Sequence, residues 1–235
     1  MDTQADIAAQ LRRIAEYLIA SRPLAPQSPD WDAADGFVWR AEQSSLVPVT
    51  KIPHLPLELL LGIDQQKRCL LENSQNFVQG FAANNALLWG ARGTGKSSLI
   101  KAVHARVNKD LAPGQRVKLV EILREDLESL GYLLDLLRTA PKRFLLFCDD
   151  LSFEAQDSTY KALKALLEGG IAGKPDNCVF YATSNRRHLI SREATENEAG
   201  LAIHANEVVH EKTSLSDRFG LWVGFHNCDQ ETYLA

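Results

Sequence analysis

Gly90-Ala91-Arg92-Gly93-Thr94-Gly95-Lys96-Ser97 follows an apolar run at 86–89 and opens a stretch with helical spacing at 96–107. The pattern G-x-x-x-x-G-K-[ST] between a strand and a helix is the phosphate-cradling P-loop. Glycines at 93 and 95 let the backbone turn tightly with its N–H groups inward, and the helix N-terminus behind them adds its positive dipole end. Lys96 is expected to bridge the β- and γ-phosphates of a nucleotide and the Ser97 hydroxyl to ligate Mg2+. Thr94 and Ser98 are expected to supply neighbouring backbone donors. Gly90, Ala91 and Arg92 complete the cradle.

Downstream, the apolar run 144–148 ends in Asp149-Asp150. This fits the strand that carries the magnesium-side acid in P-loop proteins. A carboxylate at the end of a buried strand is costly unless it meets a cation. Asp149 is therefore expected to hold Mg2+ through water, and function explains the Asp149-Asp150 pair better than packing does. A helix cap or a solvated loop is the structural alternative, and Glu154 lies near enough to share a role. The nucleotide is expected to be ATP. Guanine readers of the Asn-Lys-x-Asp type follow a late strand, whereas Asn108-Lys109-Asp110 has the wrong spacing and falls where the cradle helix ends.

Around these motifs, helical patterns alternate with short apolar runs from residue 57 onward, as expected of an α/β domain with a parallel sheet. Five runs read as strands: 86–89, 117–122, 144–148, 178–183 and 221–225. Helices are expected at 96–107, at 125–138 with Leu127, Leu130, Leu134 and Leu137 on one face, and after Asp157 with Tyr160, Leu163 and Leu167 inward. The Glu-rich interval 191–213 reads as an insertion. Residues 1–56 read as a separate segment preceding the core at 57–235. Ile7, Leu11, Ile14 and Leu18 form a helical stripe with Arg12, Arg13 and Glu16 opposite, able to dock on its own domain or on another subunit. The tract 21–56 carries Pro23, Pro26, Pro29, Pro48, Pro53 and Pro56 and is expected to be extended. Its Trp31, Phe37 and Trp39 suggest that it lies along a surface.

With 235 residues, 45% of them hydrophobic and 24% charged, the chain can bury a sizeable core. A net charge of −4 argues against a broad non-specific grip on nucleic acid. Cys69, Cys148, Cys178 and Cys228 are too scattered for a zinc site. The first twenty residues contain Asp2, Asp6 and Glu16, unlike a signal peptide, and no stretch is long and apolar enough to cross a bilayer. A cytoplasmic protein is expected.

The arrangement resembles the AAA+ superfamily of ring-forming or partner-activated ATPases over about 57–225. The resemblance implies a P-loop NTPase three-layer sandwich whose five parallel strands run in the order 5-1-4-3-2. Tyr181-Ala182-Thr183-Ser184-Asn185 resembles the polar segment at the tip of the fourth strand, which implies that Asn185 positions water or senses the γ-phosphate. Ordinary turn chemistry is the alternative. Ser214-Leu215-Ser216-Asp217-Arg218-Phe219-Gly220 resembles the arginine-finger segment, which implies that Arg218 acts on a neighbour's ATP within an assembly. A salt bridge with Asp217 is the alternative, and Arg186 and Arg187 compete for the role. Leu61-Gly62-Ile63-Asp64 resembles the segment that packs on adenine, giving Gly62 and Ile63 as base contacts, or else a helix start capped by Asp64. Asn84-Asn85, Asp149-Asp150-Leu151-Ser152-Phe153 and Ser184-Asn185-Arg186-Arg187-His188 are similar to a bacterial AAA+ family of unknown function.

Two departures from the superfamily stand out. Asp150 replaces the usual water-activating glutamate, so that water sits closer, Glu154 substitutes, or turnover is slow. The C-terminal helical lid is expected to be absent, with Asp229-Gln230-Glu231 as its only trace. The leading expectation is an ATPase that remodels a protein or nucleic-acid partner. A nucleotide-dependent binding switch with little turnover is the alternative, and a small-molecule kinase a third class that lacks an evident acceptor pocket and basic lid.

Overall fold

The computed structural model describes residues 29–153, 173–185 and 218–226, together with Gln10, Arg12, Arg13, Leu163, Lys164, Leu167 and Leu189. Among the described residues, seven strands form one sheet: β1 (Gly36–Arg40), β2 (Ser45–Val49), β3 (Ala86–Gly90), β4 (Lys118–Glu121), β5 (Phe144–Cys148), β6 (Cys178–Ser184) and β7 (Leu221–Phe225). Their spatial order is β2-β1-β4-β5-β6-β3-β7. The five strands expected from the sequence occupy the run β7-β3-β6-β5-β4, all parallel, which is the order 5-1-4-3-2.

The two extra strands correct the reading of the proline-rich tract. Residues 36–49 form an antiparallel hairpin whose first strand pairs in parallel with β4. Between the prolines lies Phe37-Val38-Trp39, a β-branched and aromatic run of the kind strands favour. Phe37 and Trp39 are fully buried in the same apolar cluster as Val120, Phe144 and Leu146. Burying a side chain such as Phe37 contributes about 1.5–3 kcal/mol relative to leaving it in water. Trp31 meets both Phe37 and Phe144 edge-on, and the Trp39 indole N–H donates to Ser129 Oγ at 2.7 Å. The approach to the hairpin is pinned by charge. Lys118 Nζ, itself buried, donates to Ala34 O and Asp35 Oδ1 at 2.9 Å, and Arg116 reaches the other Asp35 oxygen at 2.8 Å. Burial pushes the Asp35 carboxyl up, but the Lys118 and Arg116 bonds outweigh it and hold the pKa below its ordinary value. The hairpin thus shares the sheet and core of the region beyond residue 56.

Side-chain alternation along the central strands divides the interior into two layers. Ala86, Leu88, Leu145, Phe147, Val179 and Tyr181 face α1 (Asp64–Gln79) and α2 (Lys96–Asn108), where Leu70, Phe77, Leu99, Ile100 and Val103 close the core. Leu87, Phe144, Leu146, Phe180 and Ala182 face the opposite side and pack with α3 (Leu130–Arg138). Helix was expected over 125–138, but the first turns, at Arg124–Ser129, are 3-10. The result is a three-layer sandwich. Leu163 and Leu167 are helical and join the α3 side of the core. Gln10, Arg12 and Arg13 are helical and exposed. The apolar stripe Ile7, Leu11, Ile14 and Leu18, together with Glu154, Asp157, Tyr160, Arg186, Arg187, 191–217 and the 227–235 tail, lies outside the described residues. Among the described residues no helix is long and apolar enough to cross a membrane.

Candidate functional site

Strand alternation also builds the site. On β5 and β6 the residues that share a face with Phe147 and Tyr181 are, at the strand tips, Asp149 on one side and Thr183 and Asn185 on the other. That is the face on which α2 begins. The loop 90–95 joins β3 to α2, so the cradle, Asp149-Asp150 and Asn185 converge at the C-terminal ends of parallel strands, where open α/β sheets place their ligands. Arg92, Gly93, Thr94, Gly95, Lys96, Ser97, Ser98, Asp149, Asp150, Thr183 and Asn185 line one cleft of about 320 Å3.

The glycines act by geometry. Gly90 has φ 143° beside β7, and a Cβ there would collide with the Phe225 carbonyl, so only glycine lets the two strands close up where the loop departs. Gly95 has φ 87° and is the N-cap of α2. Its Cβ position lies 4.0 Å from Ile63 Cδ1, which brings the 62–63 segment against the cradle. Gly62, at φ 74°, turns the chain immediately before Ile63 and α1.

Lys96 is largely buried, and its ammonium donates to Gly90 O at 2.9 Å, Ala91 O at 2.6 Å and Asn185 Oδ1 at 3.2 Å. Burial lowers its pKa below the ordinary value; Asp150 and Asp149 pull it back up and Arg92 lowers it further. The Thr94 hydroxyl donates to Ala91 O at 2.9 Å and stiffens the loop. Ser97 Oγ donates to Asp149 Oδ1 at 2.5 Å. Two hard oxygen donors so placed suit Mg2+, which takes one or two protein carboxylates, phosphate oxygens and several waters rather than an all-protein cage. The donor chemistry of Ser97 and Asp149 therefore fits the ion implied by the fold.

Asp150 stands at φ 50°, a left-handed conformation uncommon outside glycine. It is held there from β6: its N–H donates to Thr183 Oγ1 at 2.9 Å, and the next N–H, of Leu151, donates to Thr183 O at 2.7 Å. Aspartate visits this region more readily than glutamate, because its short polar side chain bonds locally. That is a physical reason for the shorter acid at 150. Its carboxylate accepts from Asn185 Nδ2 at 2.5 Å and lies 3.6 Å from the exposed Arg92 guanidinium. Asn185 thus touches both Lys96 and Asp150.

Thr183 is the residue that sequence reading missed. The residue is 1% exposed, and its hydroxyl donates to Asp149 Oδ1 while accepting the Asp150 N–H, so one side chain fixes both acids. The available signal was the two-residue spacing to Asn185, which puts both on one strand face. Arg218 is not brought to this cleft. It is exposed and precedes β7, whose register pairs Leu221 with Ala86 and Phe225 with Gly90. Arg218 therefore lies at the opposite end of the edge strand, more than about 13 Å from the cradle along the strand direction.

Residues 32–235 match the family described as "Protein of unknown function (DUF815)". The chain belongs to the DUF815 family. No curated protein matches the DUF815 chain in sequence. Among solved structures it is similar to the Orc1 protein of Aeropyrum pernix in complex with DNA, at 14% identity and a TM-score of 0.51, over 74% of this chain and 47% of that one. Thermotoga maritima RuvB, the Holliday junction branch migration motor, matches at 15% identity and a TM-score of 0.45, over 75% and 49%. PCH-2 of C. elegans matches at 15% and 0.44, over 74% and 45%. The DUF815 chain spans about half the length of these structures. It has the AAA+ P-loop ATPase fold, as the sequence resemblance implied.

Proposed function

We propose that this chain binds Mg-ATP in the cleft at the head of α2 and hydrolyses it, coupling the cycle to remodelling of a protein or nucleic-acid partner within an AAA+ type assembly. One observation carries the reading: Ser97 and Asp149 meet at 2.5 Å beside Lys96, although one lies in the first turn of α2 and the other just beyond the end of β5. Backbone N–H groups at 93–98 and the α2 dipole receive the phosphates, with Lys96 as the opposing cation. Ser97 and Asp149 hold Mg2+, which supplies charge neutralisation when bound. Gly62 and Ile63 flank the base. Asp150 and Asn185 orient water, and Arg218 serves a neighbouring subunit's cleft, since its own lies at the far end of β7.

Calorimetry with ATP and Mg2+ tests the binding step. Lys96→Ala should lose about 1.5–3 kcal/mol of affinity, the worth of hydrogen bonds to a charged group. Equal affinity in mutant and parent would overturn it. A second reading, an ATP-dependent switch with little turnover, is favoured by the Asp150–Asn185 bond at 2.5 Å, which ties together the two groups that would handle water. Phosphate release measured with and without added peptides and DNA separates the two: a rate that stays at background in every condition, with tight ATP binding, selects the switch.

A further inference from the structure

The outer half of α2 forms one wall of a second cleft, of about 490 Å3, remote from the phosphate loop. Its other wall is the irregular chain 50–58, which leaves the hairpin and leads to α1. The volume lies within the range of ligand sites. Ile52, Leu55 and Leu57 from one wall and Ala102 and Ala105 from the other supply its apolar lining, and Ile52 and Leu57 pack on the core cluster that contains Ala102. Leu55 is half-exposed.

The rim has the opposite polarity to the protein as a whole. The chain carries 26 Lys and Arg against 30 Asp and Glu, yet five cations and only two carboxylates line this cleft. One carboxylate, Asp35, is already neutralised by Lys118 and Arg116, and Arg106 pairs with Asp110 at 3.3 Å. Lys51, on the 50–58 wall, and Lys109, at the C-terminal end of α2, have no ion-pair partner among the described residues, and Lys101 of α2 also lines the cleft. Glu58 is the remaining acid.

From this pattern we propose that the cleft binds an acidic, leucine-bearing peptide segment of a partner protein in extended form. Apolar side chains enter between Leu55 and Ala105, while flanking carboxylates meet Lys51 and Lys109. A nucleic-acid strand fits less well, because its phosphates would leave the apolar floor without a counterpart, and so few cations support only a short backbone contact. The site shares α2 with the phosphate cradle but none of its lining residues. The proposal therefore stands independently of ATP binding.

The test uses the full chain without nucleotide and a fluorescent ten-residue peptide of alternating Glu and Leu, followed by anisotropy. Saturable binding is expected. It should weaken about tenfold in the Lys51→Glu/Lys109→Glu variant, as when two rim charge pairs turn from attraction to repulsion. Ala105→Trp, which fills the floor, should abolish it, and both variants should keep the parent's melting temperature and ATP affinity. Replacing Leu by Ser in the peptide should also remove binding. Absence of saturation at millimolar peptide, binding indifferent to both variants, or tighter binding of a ten-nucleotide DNA strand would each overturn the proposal.

Discussion

Replacing Thr183 by valine keeps the shape of a residue that is 1% exposed and removes only its hydroxyl. Two contacts disappear at once: the bond donated to the Asp149 carboxylate and the one accepted from the Asp150 N–H at 2.9 Å. A hydrogen bond to a charged group is worth about 1.5–3 kcal/mol and an unpaired N–H costs about 1–3 kcal/mol when buried. Asp149 and Asp150 border solvent, so water compensates in part, and the expected net loss is about 2 kcal/mol. For a chain of this size that lowers the melting temperature by about 4–8 °C. The functional loss should be larger. Groups that orient a metal-binding carboxylate typically cost about 10–100-fold in metal affinity when removed. Circular dichroism melting gives the first quantity, and Mg2+ titration of a fluorescent ATP analogue gives the second. Thr183→Ser retains both bonds and should restore Mg2+ affinity. A valine variant with the parent's Mg2+ half-saturation would refute the positioning role, and a serine variant as impaired as valine would assign the effect to methyl packing.

Asp149→Ala should weaken Mg2+-dependent ATP binding, whereas Asp150→Asn should spare binding and depress phosphate release; loss of turnover in Glu154→Gln but not in Asp150→Asn would reassign the base. Arg218→Ala should lower turnover by as much as about 10³-fold with little change in ATP affinity. Mixing it with Lys96→Ala should restore activity above either alone, and full activity of Arg218→Ala by itself would remove Arg218 from the mechanism. His104 is buried against the Val117 carbonyl, and burial lowers its pKa from 6.5 to about 4. The unfolded chain therefore takes up the proton first as pH falls. Stability from this group is intact above 6.5 and is lost as pH drops toward 4, by about 3 kcal/mol in all. Urea midpoints at pH 7 and 4.5 should lie further apart in the parent than in His104→Gln; equal separations would discharge His104 from acid sensitivity.

Strands buried on both faces were legible because parallel sheets write them as unbroken apolar runs, as at 144–148 and 178–183. The cradle was legible because its glycines and Lys96 act through local backbone geometry. What escaped detection depends on pairing between distant segments. The hairpin at 36–49 becomes strand only because β4 offers an edge and Asp35 finds Lys118 and Arg116. Thr183 gains its role only when β5 and β6 align Cys148 with Ala182 and bring Asp149 alongside. The segment 61–64 falls between these cases: its motif singled out Gly62 and Ile63, and the fold places Ile63 beside Gly95.

The hairpin also decides where the sheet stops growing. Without it, β4 would present a bare row of amides, an invitation to add strands from other molecules. Among the described residues the outermost strand is instead β2, whose fourth residue is Pro48, opposite Phe37 and unable to donate. At the far edge, Gln66 of α1 reaches over β7 and donates to the Gly224 carbonyl at 2.8 Å, occupying an acceptor that another strand would need. Both margins are thus blunted against strand addition. Copies of this protein that meet should do so through side-chain surfaces and loops, which leaves their geometry free to respond to what occupies the clefts.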